Sequence, residues 1–235
     1  MTPEEKELIL DKAKKFFKDK IVENHKIKTK KAKHLKAFKV NPFLLPYLSK
    51  FAFGSNDYQS MAKTLAYPRI IGTSASTIFG TQMQLFCADV LNAYASTTSG
   101  IDIEFIDQVD GRKKYCQIKS GPNCINKDDV TTIKTHFKSI TNLARTNRVS
   151  NFNPLTDCVV GVFYGEEQDL SASYKKIKQT YSVYIGQDFW HRLTGDANFY
   201  KELIVAITEE CCQIDCSELL NDVIANLAKE IKTKQ

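Results

Sequence analysis

Residues 100–119 read GIDIEFIDQVDGRKKYCQIK, and this stretch decides the fold. Two strand-like runs, Ile101 to Gln108 and Lys113 to Lys119, flank Val109-Asp110-Gly111-Arg112. Asp-Gly between alternating runs signals a tight antiparallel hairpin, because both residues tolerate the positive φ of its turn. With Asp110 and Gly111 as the two loop residues, Asp102 faces Lys119, Glu104 faces Gln117 and Ile106 faces Tyr115. Alternate residues share a side, so these six side chains lie on one face. Ile101, Ile103, Phe105, Cys116 and Ile118 fall on the other face, which therefore belongs to the core. A one-residue slip would bury the charges, so the apolar face fixes the parity.

The flanking sequence reads as helices around this hairpin. Before it, Phe79, Met83, Phe86, Cys87, Val90, Leu91 and Tyr94 mark an amphipathic helix from about Ser76 to Tyr94. After it, Pro122 and Asn123 end the second run, and Asp128-Asp129 open a helix that continues to about Arg145. Cys158 to Tyr164 is almost wholly apolar, as a strand covered on both faces would be. A helix at Ser171–Gln179, a strand at Tyr181–Ile185 and a helical C-terminal third from Asp188 follow.

Towards the N-terminus, Thr2 as N-cap and Glu5 form a capping box, and Pro3 suits the first turn, of a helix that runs through Ile9, Ala13, Phe16, Phe17 and Ile21. Lys26 to Lys39 reads as a basic connector, and Asn41-Pro42 precede a short apolar helix, Phe43 to Phe53. Gly54 to Asp57 starts another element, which Tyr67-Pro68 is expected to end. A small sheet inside helices, in one α/β domain over 41–235 with a basic helical arm over 1–40, is the predicted architecture.

Bulk properties narrow the class. The chain has 235 residues, 43% hydrophobic and 26% charged, the composition of a folded protein. No apolar run is long enough to span a bilayer, and the charged N-terminus lacks a secretory apolar region, so a cytoplasmic protein is expected. Seven cysteines in scattered positions do not make a disulfide framework, and Cys211, Cys212 and Cys216 lack the Cys-x-x-Cys or His partners of a zinc site. The net charge of +6 is concentrated: residues 1–40 hold 13 lysines against 6 acids. That distribution suits a surface that seeks phosphate, and equally a solvated lysine-rich helix.

The polar hairpin face has two readings from spacing alone. It is either a solvated face with cross-strand ion pairs, worth roughly 0.2–1 kcal/mol each, or a site. Gly100-Ile101-Asp102 followed by Gln117-Ile118-Lys119 resembles the PD-(D/E)xK nuclease signature, in which an acid is followed on the next strand by acid-x-Lys. The segments YPRIIGTSASTIFGTQMQ, GIDIEFIDQVDGRKKYCQIKSGPNCINKDDV, LARTN, VVGVFYGE and GQDFWHRLTGDANFY extend the likeness, and from about Asn41 to Tyr200 the chain is similar to PmeII-like type II restriction endonucleases.

The resemblance implies a restriction-endonuclease-like core, a small mixed central sheet flanked by helices. It implies Mg2+-dependent cleavage of double-stranded DNA at a short specific sequence, by a homodimer, with a cognate DNA methyltransferase encoded nearby. Asp102 would be the metal-ligating acid, Lys119 the catalytic lysine, and the backbone carbonyl of Ile118 a further ligand. Gln117 occupies the second acid position; an amide oxygen can ligate Mg2+ but brings no charge. Glu104, expected opposite Gln117, would restore it. A repair or junction-resolving nuclease of the same fold, and a DNA-binding protein that has lost its chemistry, stay open beside this reading.

Four further residues have paired readings. Gln84 stands where many nucleases of this fold carry a glutamate on the preceding helix, or serves packing or the surface. Asn126 and Lys127 are candidates for gripping a DNA phosphate, while Asn126 is equally a helix cap. His191 is either a general base or a packed histidine.

Overall fold

A computed structural model describes residues 1–91 and 94–234. In chain order the elements are α1 (Pro3–Phe16), α2 (Glu23–Lys31), α3 (Leu44–Phe53), α4 (Tyr58–Tyr67), α5 (Ala75–Leu91), β1 (Tyr94–Ala95), β2 (Ile103–Ile106), β3 (Lys113–Lys119), α6 (Lys127–Thr146), α7 (Pro154–Asp157), β4 (Cys158–Val162), α8 (Ala172–Lys178), β5 (Ser182–Ile185), α9 (Gln187–Thr194), α10 (Phe199–Cys211) and α11 (Ser217–Lys234). They form two compact units, Met1–Phe16 with Gln82–Thr208, and Phe17–Thr81 with Glu209–Gln235. Residues 1–40 are thus shared between the two.

The first unit holds a five-stranded sheet in the order β1-β2-β3-β4-β5. Strands β1, β2 and β3 are antiparallel, and β3, β4 and β5 run parallel, so the sheet is mixed and flanked by helices, as expected of a restriction-endonuclease-like core. Every residue of β4 is buried, which is why its sequence is a continuous apolar run. Gly161 is required there: a Cβ would lie 2.3 Å from the Phe189 ring of α9. The α6 residues Val130, Ile133, Phe137 and Ile140 and the α8 residues Tyr174 and Ile177 join Val160, Val162, Val183 and Ile185 in one apolar cluster. Trp190 is fully buried, stacks edge-on against Phe86 and Phe163, and donates Nε1–H to the Phe163 carbonyl at 2.9 Å. Helix α1 is held to this unit by Phe16 against Phe86 and by Lys6 between Asp196 and Glu202. Its Thr2–Glu5 capping box forms as expected.

The hairpin register differs from the expected one by two residues. Ile103 pairs with Cys116, Glu104 with Tyr115, Phe105 with Lys114 and Ile106 with Lys113. The loop is longer because Asp107 turns inward. Fully buried, it accepts from Arg192 at 2.9 Å and from Val109 N, while its backbone pairs with Arg112. Lys114, also fully buried, reaches Asp110 at 2.6 Å and the Thr156 carbonyl. Arg112 grips the buried Asp157 through Nε and Nη2. This ionic knot outweighs the local preference of Asp-Gly for a two-residue turn. A shift of two preserves the parity, so each face keeps its residues.

The second unit is helical. Leu35, Leu45, Met61, Ala62, Ala66 and Ile70 pack with Val223, Ile224, Leu227 and Ile231 of α11. Two local expectations are corrected here. Lys26–Lys39 is not a connector: it contains most of α2 and a 3-10 turn at Leu35–Ala37. Its buried residues include Thr29 and Ala32, too small and polar to print an apolar period. Pro68 does not stop the helix; a π-type segment, Pro68–Ser74, carries helical backbone onward and accommodates the missing N–H at its first position. The helix expected to reach Tyr94 is described to Leu91, with residues 92 and 93 outside the described ones, and Tyr94 belongs to β1.

Candidate active site

Asp102 sits one residue before β2 and is fastened on three sides. Its N–H donates to the Cys116 carbonyl at 3.0 Å, its Oδ2 accepts from Ile118 N at 2.7 Å, and its own carbonyl accepts from Gln84 Nε2 at 3.0 Å. Continuing the observed register by one position sets Asp102 beside Gln117. Burial raises the Asp102 pKa above the usual aspartate value, against the opposing pull of the Ile118 N–H and the charge of Lys119. Beneath it, burial and then the Asp102 charge push the thiols of Cys87 and Cys116 up, so both are neutral apolar groups.

Gln117 is buried, 5% exposed, and its Nε2 contacts the Gly100 carbonyl at 2.5 Å and His136 Nδ1 at 2.7 Å. Gly100 has φ +80°, and a Cβ there would lie 2.4 Å from the His136 ring, so only glycine admits the imidazole. Lys119 is half-buried at the end of β3, and its carbonyl accepts from Phe163 N at 2.9 Å. Among the described residues it makes no ion pair with Asp102; it acts on that carboxylate through space.

Glu104 does not stand opposite Gln117. It faces Tyr115 and accepts from Ser96 Oγ at 2.6 Å and Lys113 Nζ at 2.7 Å. Burial opposes its charge, but these donors hold its pKa below the ordinary glutamate value. The structure therefore brings together Asp102, Gln117, Ile118 and Lys119, adds Gln84 through the Asp102 carbonyl, and sets Glu104 apart in the hairpin. Asn126 is the N-cap of α6, in a capping box with Asp129. Lys127 opens that helix and lines a shallow depression with Lys134, Lys138 and Lys176. Among the described residues, no hydrogen bond ties His191 to this group.

His136 was missed in the sequence. Its signal was there: Ile133, Phe137 and Ile140 mark the buried stripe of α6, and His136 falls on its edge at helical spacing. What sequence could not supply is the partner, 19 positions away.

Among the described residues no cluster of three His, Cys, Asp or Glu side chains gathers to hold a metal. The oxygen donors available are the Asp102 carboxylate, the Gln117 amide and the Ile118 carbonyl. All are hard oxygens of the kind Mg2+ takes, with water and phosphate filling the remaining positions. The donor set fits a hard divalent cation and does not fit a soft one.

No helix among the described residues is long and apolar enough to cross a membrane. No curated protein matches the chain. Residues 8–215 match the family model described as type II restriction endonuclease EcoO109I, which names that family where the sequence motifs suggested the PmeII-like one. The chain belongs to the type II restriction endonuclease EcoO109I family, whose members are DNA-cleaving nucleases of the PD-(D/E)xK superfamily.

Proposed function

We propose that this chain is a site-specific deoxyribonuclease that hydrolyses phosphodiester bonds in double-stranded DNA with Mg2+, and that it acts as a homodimer. The observation that carries the reading is the Asp102 carboxylate, pinned by Ile118 N–H and flanked by Gln117 and Lys119. With Oδ2 held by the backbone, Oδ1 remains for the cation. Asp102, Gln117 and Ile118 would hold Mg2+, which supplies a water of lowered pKa and draws charge from the phosphate. Lys119 presents its ammonium group where negative charge builds on phosphorus, and the same charge favours ionised Asp102. Gln84 steadies the Asp102 backbone.

Lys127, Lys134, Lys138 and Lys176 offer cations to DNA phosphates. Helix α3 and the residue that caps it support self-association: Phe43, just before the helix, is 87% exposed and Phe51 77%, with Leu44, Tyr47 and Leu48 exposed beside them. A two-fold dimer would place one hairpin on each strand of a palindromic site. A cognate methyltransferase encoded nearby belongs to the same reading.

The test is incubation of the protein and Asp102→Ala with mixed-sequence duplex DNA, with and without Mg2+. Discrete fragments that need Mg2+ and vanish in the variant are expected. Cutting confined to branched DNA would instead indicate a junction-resolving enzyme. The amide at Gln117 favours one other reading, a DNA-binding protein without cleavage; intact DNA with binding retained would establish it and overturn ours.

A further inference from the structure

We infer that His136 is a positioning residue: it fixes which way round the Gln117 amide sits, so that the oxygen, and not the nitrogen, is left for the cation. The inference rests on the metal-dependent reading above. An amide is nearly symmetric in shape, so sterics do not decide its orientation; its hydrogen-bond partners must. Gly100 contributes a carbonyl, which can only accept, so the end of the amide facing it is the nitrogen. That contact uses one N–H. The second is taken by His136 Nδ1 at 2.7 Å, which requires the imidazole to carry its proton on Nε2. With both protons committed, the lone pairs of Oε1 are what the amide can still offer a cation.

The alternative orientation loses twice. It would set Oε1 against the Gly100 carbonyl, acceptor to acceptor, and turn an NH2 group towards the metal. Gln117 is buried, so water cannot relieve either fault. The imidazole itself is delivered by a rigid element. Helix α6 is anchored through Ile133, Phe137 and Ile140 and capped at Asn126, and the ring occupies the space a side chain at position 100 would fill. A carboxylate at position 117 would need no such device, because its two oxygens are equivalent. Histidine at 136 and glycine at 100 are therefore what lets glutamine serve where an acid otherwise stands.

The experiment compares His136→Asn, whose Oδ1 can replace Nδ1 as acceptor, with His136→Leu, which has no acceptor. Each is made with and without Gln117→Glu. Mg2+ affinity of the free protein is read by titration calorimetry, and cleavage of a mixed-sequence plasmid gives the Mg2+ needed for half-maximal rate separately from the rate at saturation. Loss of an outer partner of a metal ligand costs about 10–100-fold in affinity. His136→Leu should weaken Mg2+ binding on that scale while His136→Asn stays near the parent, and the effect of leucine should disappear beside Gln117→Glu.

Equal losses in leucine and asparagine variants that track a fall in Tm would reduce His136 to packing and overturn the inference. So would an unchanged affinity in His136→Leu, or the same loss in both backgrounds. A parent that binds Mg2+ but cuts nothing sinks the nuclease reading alone, since the calorimetric comparison still decides the role of His136. A parent that binds no Mg2+ overturns both.

Discussion

Replacing Asp157 with asparagine removes one charge from the knot that sets the hairpin register. The side chain is 4% exposed, and its two oxygens accept from Arg112 Nε, Arg112 Nη2, Asn153 N and Thr156 Oγ1. An NH2 in place of Oδ2 strands Arg112 Nη2 and Asn153 N, and one in place of Oδ1 strands Arg112 Nε, while the Thr156 hydroxyl keeps the Asn153 carbonyl as acceptor. A buried donor left unpaired costs about 1–3 kcal/mol, and Arg112, 37% exposed, recovers part of this from water. A net loss of about 2–3 kcal/mol follows, or a fall of roughly 4–12 °C in Tm.

The pH dependence gives a second, independent reading. Burial works against the Asp157 charge, but Arg112 and Asn153 N–H outweigh it and hold its folded pKa below the usual value. A depressed folded pKa means that the stabilisation is complete above the unfolded value, near 3.9, and is lost as pH falls through the folded one. The gap between wild type and Asp157→Asn in urea unfolding should therefore be constant from pH 7 to 5 and close below about pH 4. A gap that persists undiminished at pH 3, or one well under 1 kcal/mol at pH 7, would refute the electrostatic account of the turn.

Three more outcomes are expected. Lys119→Met should lower single-turnover cleavage at saturating Mg2+ by about 10²–10³-fold with little change in DNA affinity by gel shift; a matching loss of affinity would make the lysine a binding group instead. Gly161→Ala forces a Cβ into the buried Phe189 ring, and should cost about 1–3 kcal/mol in chemical unfolding; a neutral result would mean that α9 slides freely on the sheet. Phe43→Glu with Phe51→Glu should turn a dimer into a monomer in sedimentation velocity without altering the far-UV spectrum, and an unchanged sedimentation coefficient would place the dimer contact away from α3.

Much of the core was legible because its signals are local. The continuous apolar run of β4, the alternation in β2 and β3, and the Thr2–Glu5 cap each depend on neighbours a few residues away. The parity of the hairpin was legible for the same reason, and so was the gathering of Asp102, Gln117 and Lys119 on one face. Its register was not, because the decisive groups come from elsewhere: Asp157 from α7 and Arg192 from α9 draw Asp107, Arg112 and Lys114 inward. The same limit hid the partner of Gln117, and α2, whose buried Thr29 carries no hydrophobic signature. The consequence for the site was specific: a two-residue change of register moved Glu104 away from Gln117 and left the amide with histidine and a carbonyl for company.

The core of the second unit has a consequence for the order of synthesis. Four of its clustered apolar residues, Val223, Ile224, Leu227 and Ile231, lie on α11, while the rest come from residues 32–70. Glu230 of that helix also closes on His34 and the Leu35 amide, and Asn226 on the Lys33 carbonyl. On the ribosome, the helices of residues 32–70 must wait, apolar side uncovered, until α11 emerges. Contacts spanning nearly two hundred positions form late and slowly, and exposed intermediates attract chaperones and each other. Nascent chains arrested before α11 should therefore be open to protease in residues 32–70 and become resistant once α11 has been added.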